Sequence, residues 1–282
     1  MLFTHSNFIT RLSPFMIRLA INGALGRVGR IVGALALESG KFTVAAAIES
    51  SKSPSLGKDY GELLGREPAG VAVTSSLARK ADVLVDFSTP AAAMRRLAEC
   101  VKTKTPAVIC TTGLADGERS KLEEASKKIA VLHAPNTSLG VTALLQAVPG
   151  LAKLLGDAYD IEIVEAHHRG KKDAPSGTAV ILAERIAAAT GRAWPADFTF
   201  GRKGKENVRG PVEIGIHAVR GGGIVGEHSV IFASDDDVIT VTHRAGSRDL
   251  FARGALRAAE FAAHAKPGRY GMGDVLTQPS PA

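Results

Sequence analysis

The densest chemistry in the chain lies between residues 165 and 178, which read Glu-Ala-His-His-Arg-Gly-Lys-Lys-Asp-Ala-Pro-Ser-Gly-Thr. His167, His168, Arg169, Lys171 and Lys172 crowd basic or imidazole side chains into one short stretch. Crowded cations favour the neutral amine of a lysine, which suits a general acid working near neutrality. Ser176-Gly177-Thr178 then opens a helical pattern. Hydroxyls and the first N–H groups of a helix together make a receptor for a carboxylate. A proton donor beside an anion cradle fits the reduction of a dicarboxylate. Ser176 also suits an N-cap, and the two roles are compatible. The His167-His168 pair has no third ligand at useful spacing, so no metal is expected. Ser176 lacks the G-x-S-x-G elbow of a serine hydrolase.

A second constellation is the turn Gly23-Ala24-Leu25-Gly26-Arg27-Val28-Gly29, a G-x-x-G-x-x-G spacing. It follows the short β-type run 17–21 and precedes a helical pattern carried by Val28, Ile31, Val32 and Leu35. Glycines let the backbone turn sharply and admit a pyrophosphate to the helix N–H groups. Glu49 ends the next apolar strand, where an acid binds adenosine ribose hydroxyls. Its charge favours NADH, because it repels a 2′-phosphate. Ser50 and Ser51 follow it, and Lys52 or Arg27 could supply a cation for NADPH. Phe87-Ser88-Thr89 and Cys110-Thr111-Thr112-Gly113 form two further loops at strand C-termini, where ligands bind in sheets of this kind.

The elements that must position these groups are legible from their periodicity. Apolar strands at 42–48, 82–87, 107–110 and 129–132 alternate with helices at 91–100 and 118–127. Near-continuous apolar strands between helices predict a parallel sheet covered on both faces, a doubly wound, Rossmann-like α/β domain. The character changes near Ser138. Helices at 141–155 and 176–189 flank a strand at 159–166. Strands at 212–219, 224–233 and 238–243 follow, with breaks at Gly221-Gly222-Gly223 and Asp235-Asp236. They predict a meander in an open, mainly antiparallel sheet of an α+β domain. A last amphipathic helix is expected from about Asp249 to Ala263.

Composition narrows the classes. The 282 residues are 45% hydrophobic and 22% charged, which excludes a disordered chain. Cys100 and Cys110 cannot build a disulfide framework and suit a reducing cytosol. The longest apolar stretch, 139–155, is interrupted by Gln146, Pro149 and Lys153, so no membrane span is expected. The net charge of +7 suits an anionic partner. No basic helix or tail is present and aromatics make up 5%, so a small anion is favoured over nucleic acid. Residues 1–15 lack the pattern of a secretory signal, and Met16 directly precedes the first strand. That extension is expected to be poorly ordered and without chemistry.

These segments resemble the dihydrodipicolinate reductase family over nearly everything from Met16 to about Leu276. The 165–178 segment is the specific signature. It is supported by the glycine turn, Asp86-Phe87-Ser88-Thr89-Pro90, Thr111-Thr112-Gly113, Ala134-Pro135-Asn136-Thr137-Ser138 and the closing Gly273-Asp274-Val275-Leu276. The resemblance implies a cytoplasmic enzyme of lysine and diaminopimelate biosynthesis. Such an enzyme reduces a cyclic dicarboxylate, 4-hydroxy-tetrahydrodipicolinate, with NADH or NADPH and loss of water, without a metal. It implies that His167 gives or takes a proton, that Lys171 donates one, and that His168, Ser176, Gly177 and Thr178 contact the substrate carboxylates. It implies cofactor contacts from Gly23, Ala24, Gly26, Arg27, Val28, Gly29 and Glu49, and from Phe87, Thr111, Thr112, Gly113, Ala134, Pro135, Asn136 and Thr137. It also implies a homotetramer joined through the sheet of a substrate-binding domain, residues 139–247. The dinucleotide-binding domain is then discontinuous, 16–138 and 248–282. The chain departs from the family at Cys110 (usually Gly), Thr137 (often aromatic or Met) and Ser50 (often Arg). These departures bear on cofactor preference and nicotinamide packing.

Overall fold

The computed structural model describes residues 16–277, so the expectation for residues 1–15 lies outside the described residues. The chain divides into two compact units. The first runs to Thr137 and takes up Phe251–Gly271; the second holds Ser138–Leu250 and the segment from Met272 onward.

The first unit carries, among the described residues, a seven-stranded parallel sheet. Its strands are β1 (Ile17–Asn22), β2 (Phe42–Ile48), β3 (Val73–Thr74), β4 (Val83–Asp86), β5 (Ala107–Ile109), β6 (Ala130–His133) and β12 (Gly268–Tyr270). The order β12-β6-β5-β4-β1-β2-β3 reverses direction between β1 and β4. That makes a crevice at the carboxyl ends of those two strands, the general ligand position in such sheets. The helices α1 (Arg27–Glu38), α2 (Tyr60–Leu63), α3 (Pro90–Thr103), α4 (Asp116–Ser126) and α7 (Asp249–His264) belong to this part of the chain. Leu19, Ala20, Ile21, Val83, Leu84 and Val85 are fully buried, which is why these strands read as continuous apolar runs.

The second unit packs α5 (Leu139–Leu155) and α6 (Gly177–Thr190) on a five-stranded sheet of order β11-β10-β7-β9-β8. Its strands are β7 (Asp160–His167), β8 (Phe198–Phe200), β9 (Ile214–Arg220), β10 (Glu227–Ala233) and β11 (Val238–Arg244). The sheet is mixed and the expected three-strand meander does not form. Only β10 and β11 make a hairpin, while β9 runs parallel to β7 on its other side. The glycine-rich loop after β9 therefore crosses the end of β7 instead of turning back beside β9. Glycines suit that crossing, and Gly221 N–H bonds back to the His167 carbonyl at 3.0 Å.

One further expectation is corrected in this unit. The last short helix, α8 (Met272–Thr277), was expected with the dinucleotide domain but groups with the second unit. It lies close against α5: a Cβ on Gly273 would come within 2.8 Å of Gln146 Nε2. The helical stretch Leu139–Ala158 is, by length and composition, apolar enough to cross a membrane. Here its Leu144, Val148 and Ala152 face the second core.

Candidate active site

The 165–178 segment forms a strand-to-helix corner in the second unit. In β7 the side chains alternate, and Ile161, Ile163 and Glu165 fall on the buried face. A glutamate thus occupies a core position, and it is fully buried. Arg220 at the end of β9 reaches it with two hydrogen bonds, of 2.8 and 2.7 Å. The Ser176 N–H donates to Glu165 Oε1 at 3.0 Å, and His167 Nδ1 lies 2.6 Å from Oε2. Burial pushes this carboxyl up, but the bonds from Arg220, His167 and Ser176 outweigh that and hold it below the usual glutamate range.

Ser176 caps α6, its hydroxyl accepting the Ala179 N–H at 3.2 Å. The same hydroxyl lies 2.9 Å from His228 Nε2. His228 sits beside Glu165 in the neighbouring strand. Burial, together with the nearby His167, pushes its pKa down to about 4, so the ring is neutral at physiological pH. A Cβ on Gly177 would meet nothing within 4 Å, so the helix opens on free space there. Lys171 sits in a turn closed by its own N–H on the His168 carbonyl. Its Nζ lies 2.9 and 2.8 Å from the two Asp173 oxygens. An anion is therefore its nearest charged partner. His167, His168, Lys171 and Ser176–Thr178 are all brought to this corner.

The glycine turn forms the first unit's crevice, of about 720 Å³. Gly23, Gly26, Glu49 and Phe87 line it. Gly23 has φ +74°, and a Cβ there would fall 2.6 Å from the Phe87 carbonyl. A Cβ on Gly29 would fall 2.1 Å from the Gly23 carbonyl. Both positions are closed to side chains: half-buried Gly23 leaves bare backbone at the crevice, and buried Gly29 lets α1 pack tightly on the turn, a cradle that fits a dinucleotide. Glu49 accepts the Leu25 N–H at 2.6 Å, so it both lines the crevice and ties down the turn. Ala24 is buried, whereas Arg27 is exposed and Val28 half-buried. Thr112 and Gly113 are exposed, as is Pro135, in loops after β5 and β6; Asn136 is half-buried and Ala134 buried. Thr137 is buried with its hydroxyl on the Phe251 carbonyl at 2.6 Å.

Four functional candidates escaped the sequence reading. Glu165, Arg220 and His228 form the polar end of otherwise apolar strand rows: Ile161-Ile163-Glu165 on β7, Ile214-Ile216 leading toward Arg220 on β9, and Phe232-Val230-His228 on β10. The signal was the break in those rows. Asp86 is the fourth, fully buried at the end of β4. It accepts hydrogen bonds from Asn22 (2.5 Å), Ser88 (2.6 Å) and Thr111, joining three loops under the crevice. Burial pushes its carboxyl up.

Known proteins resemble the chain over most of its length. The family model described as dihydrodipicolinate reductase, N-terminus, matches residues 17–137, and that described as its C-terminus matches residues 140–276. A 4-hydroxy-tetrahydrodipicolinate reductase of Rubrobacter xylanophilus is 49% identical over 262 residues, 93% of this chain and 99% of the relative. Another from Anaeromyxobacter dehalogenans is 44% identical over 265 residues, 93% of this chain and 98% of the relative. Among solved structures, the dipicolinate-bound dihydrodipicolinate reductase from Paenisporosarcina sp. TG-14 has a TM-score of 0.73 at 26% identity. The match covers 92% of this chain and 99% of that one.

Proposed function

The chain belongs to the dihydrodipicolinate reductase family, and from that premise we propose that it reduces 4-hydroxy-tetrahydrodipicolinate to tetrahydrodipicolinate with loss of water, a cytoplasmic step of lysine and diaminopimelate biosynthesis. The observation that carries this reading is the corner before α6, where an imidazole, an ammonium and a helix N-terminus meet within one segment. The Paenisporosarcina relative binds dipicolinate, a dicarboxylate of matching shape.

In this reading Ser176, Gly177, Thr178 and His168 hold the substrate carboxylates at the positive end of α6. Lys171 gives a proton to the substrate, and His167 gives or takes one. When bound, a reduced nicotinamide supplies a hydride to the conjugated imine left after water is lost. The residues that would hold the dinucleotide are the Gly23–Gly29 turn at the pyrophosphate and Glu49 at the ribose. Phe87, Thr111–Gly113 and the 134–137 loop would lie on the nicotinamide side. The exposed outer face of the second sheet, with Val219 and Val238 outward, supports a homotetramer joined through that sheet.

Both cofactors are accepted, with NADH favoured by the Glu49 charge. Arg96 is committed to Glu99 at 2.5 Å. Arg95, exposed on the same helix and lining the crevice, is the cation that a 2′-phosphate would meet. Glu49→Ala is expected to weaken NADH by about tenfold, the scale of a lost charged hydrogen bond, and NADPH by less. Equal losses would leave Glu49 only its bond to the turn. The activity itself is tested with substrate made freshly from aspartate semialdehyde and pyruvate. Nicotinamide absorbance should decay with either cofactor, and no decay with both would refute the proposal.

A further inference from the structure

We propose that Glu165 is a positioning residue that fixes which nitrogen of His167 handles the proton. This rests on the reading of His167 as a proton donor or acceptor. Both Glu165 oxygens are already acceptors, from Arg220, from the Ser176 N–H and from His167. A carboxylate in that setting has no proton to give, so the proton in the 2.6 Å contact sits on His167 Nδ1. The reactive nitrogen is then Nε2.

The surroundings of Nε2 agree. A Cβ on Gly226 would lie 3.1 Å from it, so a glycine at that position keeps a side chain from crowding the nitrogen. The charged and titratable groups around the pair come from every neighbouring element. Arg220 on β9 balances the Glu165 charge, and Lys171 and Asp173 pair with each other in the loop. On β10, His228 stands edge-on to His167 with ring centroids 5.2 Å apart. His228 is neutral and does not compete for the carboxylate. When Nε2 gains a proton, the buried anion stabilises the imidazolium. When Nε2 loses it, Nδ1–H stays in place and the ring keeps its orientation.

Glu165→Gln tests this through the pH dependence of kcat. The variant is expected to lose about ten- to a hundredfold in kcat, the scale seen when a group that orients an imidazole is removed, with cofactor KM unchanged. The limb of the profile that depends on His167 is expected to move to lower pH, because an opposite charge has been withdrawn. In a His167→Ala background the same change should cost nothing further in kcat. An unmoved limb, or an equal loss with and without His167, overturns the proposal. His167→Ala with full turnover would refute the parent reading, and this one with it. Should Glu165→Gln fail to fold, Gly226→Ala provides the second arm. Its methyl group crowds Nε2 and should lower kcat by about tenfold with the fold intact, as expected for a blocked proton-transfer group. Unchanged kcat there overturns the assignment of Nε2.

Discussion

Lys171→Ala is expected to lower kcat by about 10²- to 10⁴-fold while leaving NADH affinity unchanged, and His167→Ala to do nearly the same. The reason is the separation of tasks in the chain. Lys171 and His167 sit at the corner before α6, in the second unit. The crevice lined by Gly23, Gly26 and Glu49 belongs to the first. Removing a proton-transfer group should therefore show in turnover and not in dinucleotide binding. Steady-state kinetics with saturating substrate, beside a fluorescence titration of NADH, separates the two. Near-full turnover in either variant would remove that residue from the chemistry. Parallel loss of NADH binding would mean that the substitution damaged the fold.

The opposite pattern is expected of Gly29→Ala. The new methyl would have to share space with the Gly23 carbonyl, 2.1 Å away, and with Ala24. Overpacking of this kind costs about 1–3 kcal/mol, and here it also displaces the turn that cradles the pyrophosphate. NADH affinity should fall by more than about tenfold and the unfolding midpoint should drop. Binding of pyridine-2,6-dicarboxylate should persist. Gly150→Ala in α5 is the matched control, because its Cβ would meet nothing within 4 Å. It should be neutral or stabilising by about 0.5–1 kcal/mol, since Ala is the better helix former. Calorimetry and an NADH titration on both variants decide the matter. Equal behaviour of the two would show that the close packing at Gly29 is not what shapes the cradle.

Much of this organisation is legible in the residues themselves. The parallel sheet follows from apolar strands such as 42–48 alternating with helices. The glycine turn and Glu49 follow from their places at the ends of β1 and β2. Short elements escaped because they carry no periodicity: β3 and β8 have two and three residues. The path from β9 to β10 could not be read, because a glycine-rich loop serves equally for a tight hairpin and for a crossing over β7. The buried polar groups are the subtler case. Glu165 belongs to the signature segment, yet its position on the buried face emerges only when Ile161 and Ile163 are counted in step with it. Its partner Arg220 lies far along the chain, and only strand register brings the two together. Asp86 was visible within Asp86-Phe87-Ser88-Thr89-Pro90. Its bonds to Asn22 and Thr111 depend on three parallel strands ending at one level.

The most direct measurement is a crystal structure of the protein with pyridine-2,6-dicarboxylate. One carboxylate is expected on Ser176, Gly177 and Thr178 at the start of α6, with the ring within reach of His168 and Lys171. A ligand seated instead in the crevice beside Gly23 and Glu49, or anywhere remote from the 165–178 corner, would contradict the account.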